Sequence, residues 1–354
     1  MQDQTAWARA VQAGDLLDEP SPASRWAPTT LAAIANGYGR WLAWLDEQGL
    51  FDPAALPEER VSRERVSAYA AELKATTAPF SVATRIQQLG DALRAMAPHA
   101  DWGWILRGAD RVRAQATSVR DKRPRLQTPD RLAELGLQIM AQADASTGMR
   151  PWWRAADYRD GLIIALLVHR PLRARNLTMI ACGRHVVRRA DGWWLAFTAE
   201  ETKPEEPINA PFPAMLVANL EHYLAVHRPV LLDVGRRHGR PDTQALWASG
   251  HGRAMSYANI GVQVRQHTKA AFGQPISPHL FRDCAATAIA TTVPEEVELI
   301  LPVLGDTTLA TSERHYNHAQ MLDAGQRYQE TIATLERRAG LRAKAQARTA
   351  KESH

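Results

Sequence analysis

Apolar residues recur every three or four positions through most of this chain, which is the mark of amphipathic helices. In "APTTLAAIANGYGRWLAWLDEQGL" they fall at Leu31, Ile34, Tyr38, Trp41, Leu42 and Leu45, and Gly49 and Pro53 close the pattern. "VSRERVSAYAAELKAT" is a second predicted helix, with Ser62 as its N-cap; "SVATRIQQLGDALRAMAP" and "WGWILRGADRVRAQAT" are a third and a fourth. Four short helices in about a hundred residues make a small all-α domain. The stretch before them, residues 1–25, reads as loosely structured and then rich in Pro and Ser ("DEPSPASRW").

Past the fourth helix, Pro124 and Pro129 interrupt the helical pattern, and residues 119–127 read as a basic linker. Periodicity resumes at "TPDRLAELGLQIMAQA", with Thr128 as N-cap and Pro129 in the first turn. "YRDGLIIALLVHR" is strongly apolar, which predicts a buried helix. "GWWLAFTAEETKPEEPINAPFP" alternates and has β-formers at both ends, so it predicts two strands around a turn at Lys203-Pro204. Further helices are predicted in "PAMLVANLEHYLAVHR", "SYANIGVQVRQHTKAAF" and "SPHLFRDCAATAIA". The last stretch begins as a helix and decays into a charged tail; no repeat of fixed period occurs.

Composition narrows the class. An apolar fraction of 45% supports packed cores, and no apolar run approaches the roughly 20 residues that span a bilayer. The first residues have neither the basic start nor the apolar centre of a signal peptide. Two distant cysteines, Cys182 and Cys284, argue against a disulfide framework and fit a reducing compartment. The net charge of +5 points weakly to a polyanionic partner. Its distribution says more: between Arg107 and Arg125 seven Arg and Lys residues face only Asp110 and Asp121. Such a segment is either a solvated face or part of an anion-binding surface.

The candidate chemistry starts at "SPHLFRD". Ser277 suits an N-cap and Pro278 the first helical position, so His279 and Arg282 share one face of a helix start. Free N–H groups and a positive dipole end gather there, and an imidazole plus a guanidinium would complete a phosphate site. The other reading is a local cap and a surface ion pair. Two further stretches stand out: "HRPLRARNLTMI", with Arg173 just past the apolar helix, and "LGDTTLATSERHYNHA", with Tyr316 a dozen residues after a Leu-Gly turn. Taken alone, Tyr316 reads as a core aromatic on a helix face, and the other reading of Lys203 is a surface lysine among Glu200, Glu201, Glu205 and Glu206. His315 and His318 read as solvated rather than metal-bound, and the pairs Trp152-Trp153 and Trp193-Trp194 as packing residues.

In order, these stretches resemble the tyrosine recombinase (phage integrase) family over about residues 128–320, and the preceding helices resemble that family's core-binding domain. The resemblance implies a fold that is mainly α with a small antiparallel β-sheet. It implies a residue 1–21 extension, a helical, SAM-like core-binding domain over 22–118, the basic linker over 119–127, an α+β catalytic domain over 128–320, and a C-terminal helix and tail over 321–354. It implies site-specific cleavage and rejoining of double-stranded DNA through a 3'-phosphotyrosine intermediate, with neither ATP nor a metal or other cofactor. No Walker-type loop and no zinc-like ligand spacing appears in the sequence. By the same resemblance Arg173, Lys203, His279, Arg282, Asp306 and Tyr316 are the site residues.

Elementary chemistry suits these roles. Two arginines neutralise a phosphodiester with paired donors, and their hold tightens as charge builds in the transition state. A tyrosine hydroxyl attacks phosphorus in line and conserves the bond energy covalently. A lysine on a turn can protonate the departing deoxyribose oxygen, and His279 can accept the tyrosine proton or support a phosphate oxygen. Two residues depart from the family pattern. Asp306 places an anion where the family has histidine or tryptophan, and it is expected either to pair with a catalytic arginine or to point away from the phosphate. Asn176 stands where the family often has glutamate, so an amide supports the site with less charge.

The resemblance further implies a homo-tetramer on DNA, monomeric or dimeric when free, with accessory recombination proteins as further partners. It implies no membrane and a cytoplasmic, nucleoid-associated location in a bacterium. Two alternatives stay open: a cleavage-deficient, sequence-specific DNA-binding protein in which Asp306 is the lesion, and a relaxing enzyme of the type IB topoisomerase kind.

Overall fold

The computed structural model describes residues 2–12, 21–117, 121–203 and 205–292. The chain divides into two compact units, Met1–Asp121 and Lys122–His354.

The first unit is helical: α1 (Gln2–Val11), α2 (Pro28–Glu47), α3 (Arg63–Thr76), α4 (Pro79–Met96) and α5 (Gly103–Gln115), with a 3-10 turn at Pro22–Arg25. Pro28 and Pro79 each open a helix, where a missing N–H costs nothing. Ser62 caps α3 by accepting the Arg65 N–H at 3.3 Å. Gly49, at φ 67°, ends α2 in a Schellman turn: Leu50 N–H reaches Leu45 O at 2.8 Å and Gly49 N–H reaches Asp46 O at 2.9 Å. The core is aromatic. Trp41 and Trp44 stack at 5.2 Å, and Tyr69 meets Trp41 edge-on at 5.3 Å.

Residues 2–11 are a helix, not the loose segment expected from their polarity. Asp3 explains this. Its carboxylate takes both Nη1 contacts of the buried Arg60, at 2.7 and 2.8 Å, and the Tyr38 hydroxyl at 2.7 Å. Arg60 also donates to Asp52 O and Ala55 O. A long-range ion pair thus adds to the packing of Trp7 on Trp26 and the burial of Ala10 in anchoring this stretch.

The second unit contains α6 (Pro129–Ala145), α7 (Pro151–His169), α8 (Ala174–Met179), α9 (Val217–His222), α10 (Arg228–Arg237), α11 (Tyr257–Phe272) and α12 (Pro278–Thr292). The apolar α7 is buried almost throughout, Leu162 to Leu167 completely. It packs against α6 at two glycines: a Cβ on Gly161 would lie 2.6 Å from Gly136 O. The sheet has three antiparallel strands in sequence order, β1 (Val186–Arg189), β2 (Gly192–Phe197) and β3 (Ile208–Pro211). β1 goes beyond the two predicted strands. Its short "VVRR" offers little alternation, and it is set by pairing Val186 with Leu195.

The helix expected to end at Arg228 instead continues to Arg237 through a π turn at Tyr223–His227. Pro229 cannot donate to the α-helical ladder and would crowd the carbonyl four residues before it; the wider π turn sits where that conflict falls. Trp152 and Trp153 stack at 4.4 Å, and Trp152 packs on Gly250 while Trp153 stays half exposed. Trp193 and Trp194 bond Glu221 and Asp191 through their indole N–H groups. Among the described residues no helix is long and apolar enough to cross a membrane.

Candidate active site

Four of the six candidate residues lie within the described residues: Arg173, Lys203, His279 and Arg282. Asp306 and Tyr316 lie outside them, as do His315 and His318.

The two arginine stretches meet. The buried α7 ends at His169, and Arg173 takes the N-cap position of the short α8 with extended backbone (φ −63°, ψ 148°). α12 begins at Pro278, as its helix-start pattern predicts, with Leu280 N–H on Ser277 O at 2.9 Å. His279 is exposed in the first turn, while Arg282 is only 6% exposed. Arg282 Nη1 donates to Pro171 O at 2.8 Å, a contact across 111 residues of chain, two residues before Arg173. A buried guanidinium needs such acceptors, and this one fixes the Arg282 side chain beside the turn that carries Arg173. Lys122, within the basic segment, pairs with Asp283 of α12 at 3.2 Å.

Lys203 is exposed and sits in the β2–β3 connection. That connection is built, not slack. Thr198 and Glu201 form a capping box around a 3-10 turn, Glu201 Oε2 accepting the Thr198 N–H at 3.0 Å. Glu201 Oε1 contacts His185 Nε2 at 3.1 Å and the Arg184 guanidinium. The Thr198 backbone bond first, then the His185 contact, hold the Glu201 carboxyl down to about 2. Thr202 Oγ1 bonds Glu206 O at 2.7 Å, and Glu205 adopts φ 58°, closing the turn around Lys203.

Asn176 joins the two parts. It is 2% exposed on α8, and its Nδ2 donates to Glu201 O at 3.1 Å. The helix that Arg173 caps is therefore hydrogen-bonded to the turn that presents Lys203. The amide at this position was expected to give only weaker electrostatic support; its observed contribution is a hydrogen bond that ties one segment to the other. Glu201, His185 and Arg184 were not foreseen from the sequence. The Thr198-x-x-Glu201 spacing was the available signal for the capping box; nothing local marks His185 or Arg184 as its partners.

A mainly helical chain with a small three-stranded antiparallel sheet has the fold of the tyrosine recombinases. The solved XerH site-specific recombinase, bound to a palindromic difH substrate in a post-cleavage complex, is similar at a TM-score of 0.53 and 13% identity, covering 81% of this chain and 75% of that one. A lambda integrase (75–356) dimer bound to a COC' core site matches at a TM-score of 0.49 and 17% identity over 83% of this chain and 90% of that one, and XerA recombinase at 0.39 and 14% over 92% and 98%. At such identities the XerH likeness is one of fold, and the two lower-scoring matches add nothing to it. No family model and no curated protein matches the sequence.

Proposed function

We propose that this protein is a site-specific DNA recombinase that cuts and rejoins duplex DNA through a phosphotyrosine at Tyr316. The observation that carries the reading is the Arg282–Pro171 hydrogen bond, which brings "HLFR" to the turn of "PLRAR" within a recombinase-like fold. Arg173 and Arg282 grip the non-bridging oxygens of one phosphodiester, and their donors strengthen as the pentacoordinate transition state forms. Tyr316 attacks phosphorus, Lys203 protonates the leaving deoxyribose oxygen, and His279 takes the tyrosine proton or supports a phosphate oxygen. Asp306 either pairs with a catalytic arginine or points away from the phosphate. Rejoining reverses these steps, so the energy of the broken bond is kept. Four such sites are needed to exchange strands between two duplexes, which makes the working form a tetramer on DNA. Phosphate contacts make binding fall steeply with salt.

The test is direct. The full chain is incubated with a suicide half-site or supercoiled plasmid, denatured, and assayed for protein covalently joined to DNA. An adduct that disappears in Tyr316→Phe is expected. Specific binding with no adduct would support the cleavage-deficient alternative, and relaxation of plasmids without paired sites would support the topoisomerase-like one.

A further inference from the structure

Away from the candidate active site, three side chains converge where α6 ends and the π turn begins. Asp144 Oδ1 lies 2.9 Å from His227 Nε2 and 3.2 Å from His222 Nε2. All three ligand atoms fall within 4.8 Å of one another. In an α-helix, residues five apart project about 140° from each other, so His222 and His227 would face different ways. The π turn at Tyr223–His227 widens the helical repeat and brings their rings to a centroid separation of 5.1 Å. Single π turns recur at functional sites.

We infer that Asp144, His222 and His227 form a site for a divalent transition ion of the zinc class, which clips α6 to the α9–α10 turn. A tetrahedral ion with ligand bonds of roughly 2.0–2.1 Å sets its ligand atoms about 3.3 Å apart, and the two Asp144–His separations, 2.9 and 3.2 Å, fall just short of that spacing, so a small opening of the cluster would admit the ion. Two imidazoles and one carboxylate favour zinc, cobalt or nickel over magnesium or calcium, which prefer all-oxygen shells. The support is in place. His227 is buried and stacks on Tyr158 at 4.1 Å, whose hydroxyl contacts Asn219. Arg154 donates to the backbone oxygens of Ala143 and Asp144, which steadies the end of α6 and leaves the Asp144 carboxylate to the histidines. Asp144 and His222 are partly exposed, so an ion can enter and keep a water in the open position.

A second acidic and imidazole cluster, Asp157, Asp160 and His267, lacks this character. The Arg159 guanidinium lies 2.8 Å from Asp160 and already supplies the positive charge an ion would bring.

The test uses the full chain, freed of metal by chelator. Co²⁺ titration should saturate at one equivalent with the visible bands of a tetrahedral ion, Zn²⁺ should displace it, and Zn²⁺ should raise the unfolding temperature of the second unit in a concentration-dependent way. Mg²⁺ and Ca²⁺ should do neither. Asp144→Asn and His222→Gln, both at partly exposed positions, should each weaken Co²⁺ binding at least tenfold with the far-ultraviolet spectrum unchanged, while His267→Gln should leave it intact. No saturable Co²⁺ binding, binding that survives both substitutions, or binding lost only in His267→Gln would each overturn the assignment. DNA cleavage plays no part in this readout, so its result stands apart from the recombinase proposal.

Discussion

The bond from Asn176 to Glu201 O is the most exacting point at which to probe the candidate site. Asn176→Ala removes a donor 3.1 Å from a carbonyl in a setting where the two residues are 2% and 7% exposed. An acceptor left unsatisfied at such a position costs about 1–3 kcal/mol. For a unit of this size each kcal/mol lowers the melting temperature by roughly 2–4 °C, so a fall of about 4–8 °C is the central expectation. The effect on chemistry should be larger than stability alone implies. The bond links the helix after Arg173 to the turn that holds Lys203, and a misplacement on the order of 1 Å in such a constellation costs about 100-fold in rate. Single-turnover cleavage of a suicide substrate should therefore slow by between about 10- and 100-fold, with binding to uncleaved DNA retained. A double-mutant cycle isolates the cause. If Asn176 acts by positioning Lys203, its loss in a Lys203→Ala background should cost little further rate. Full additivity of the two losses, or a variant that melts lower yet cleaves at the parent rate, would refute the positioning role. An unchanged melting temperature would refute the hydrogen bond itself.

Four other substitutions probe the fold. Glu201 has its carboxyl lowered from an ordinary value of 4.5 to about 2, so the stability it contributes is complete above about pH 4.5 and is lost as pH falls toward 2; Glu201→Gln should flatten that part of an acid-unfolding curve followed by tryptophan fluorescence. Asp3→Ala strips the buried Arg60 of its carboxylate and should destabilise the first unit by about 3 kcal/mol in urea, Arg60 keeping its two carbonyl partners. Gly161→Ala drives a Cβ to 2.6 Å from Gly136 O and should cost about 1–3 kcal/mol or more, whereas Gly39→Ala, with open space around the new methyl in α2, should stabilise by about 0.5–1 kcal/mol; comparable thermal shifts for the two would contradict the packing described.

Much of this protein is written in local pattern. The three-to-four residue rhythm from Leu31 to Leu45, the Ser62 cap, the Gly49 stop and the all-apolar run before Arg173 depend only on near neighbours along the chain, and each appears where periodicity and capping chemistry put it. The order of Arg173, Lys203, His279 and Arg282 was legible too, because each sits in a short motif. What tertiary structure decided are the matters in which distant residues meet. Polarity made residues 2–11 look unstructured until Asp3 found Arg60. Nothing local marks "VVRR" as a strand, since its partner β2 sets the register. The π turn joins His222 to His227, and through them to Asp144 at the end of another helix, against the α-helical spacing that the sequence suggests. Above all, the contact of Arg282 with Pro171 spans 111 residues. Periodicity reports the free energy of one element's face, whereas a pocket exists only after chain entropy has been overcome by packing between elements, and that balance is a property of the folded whole.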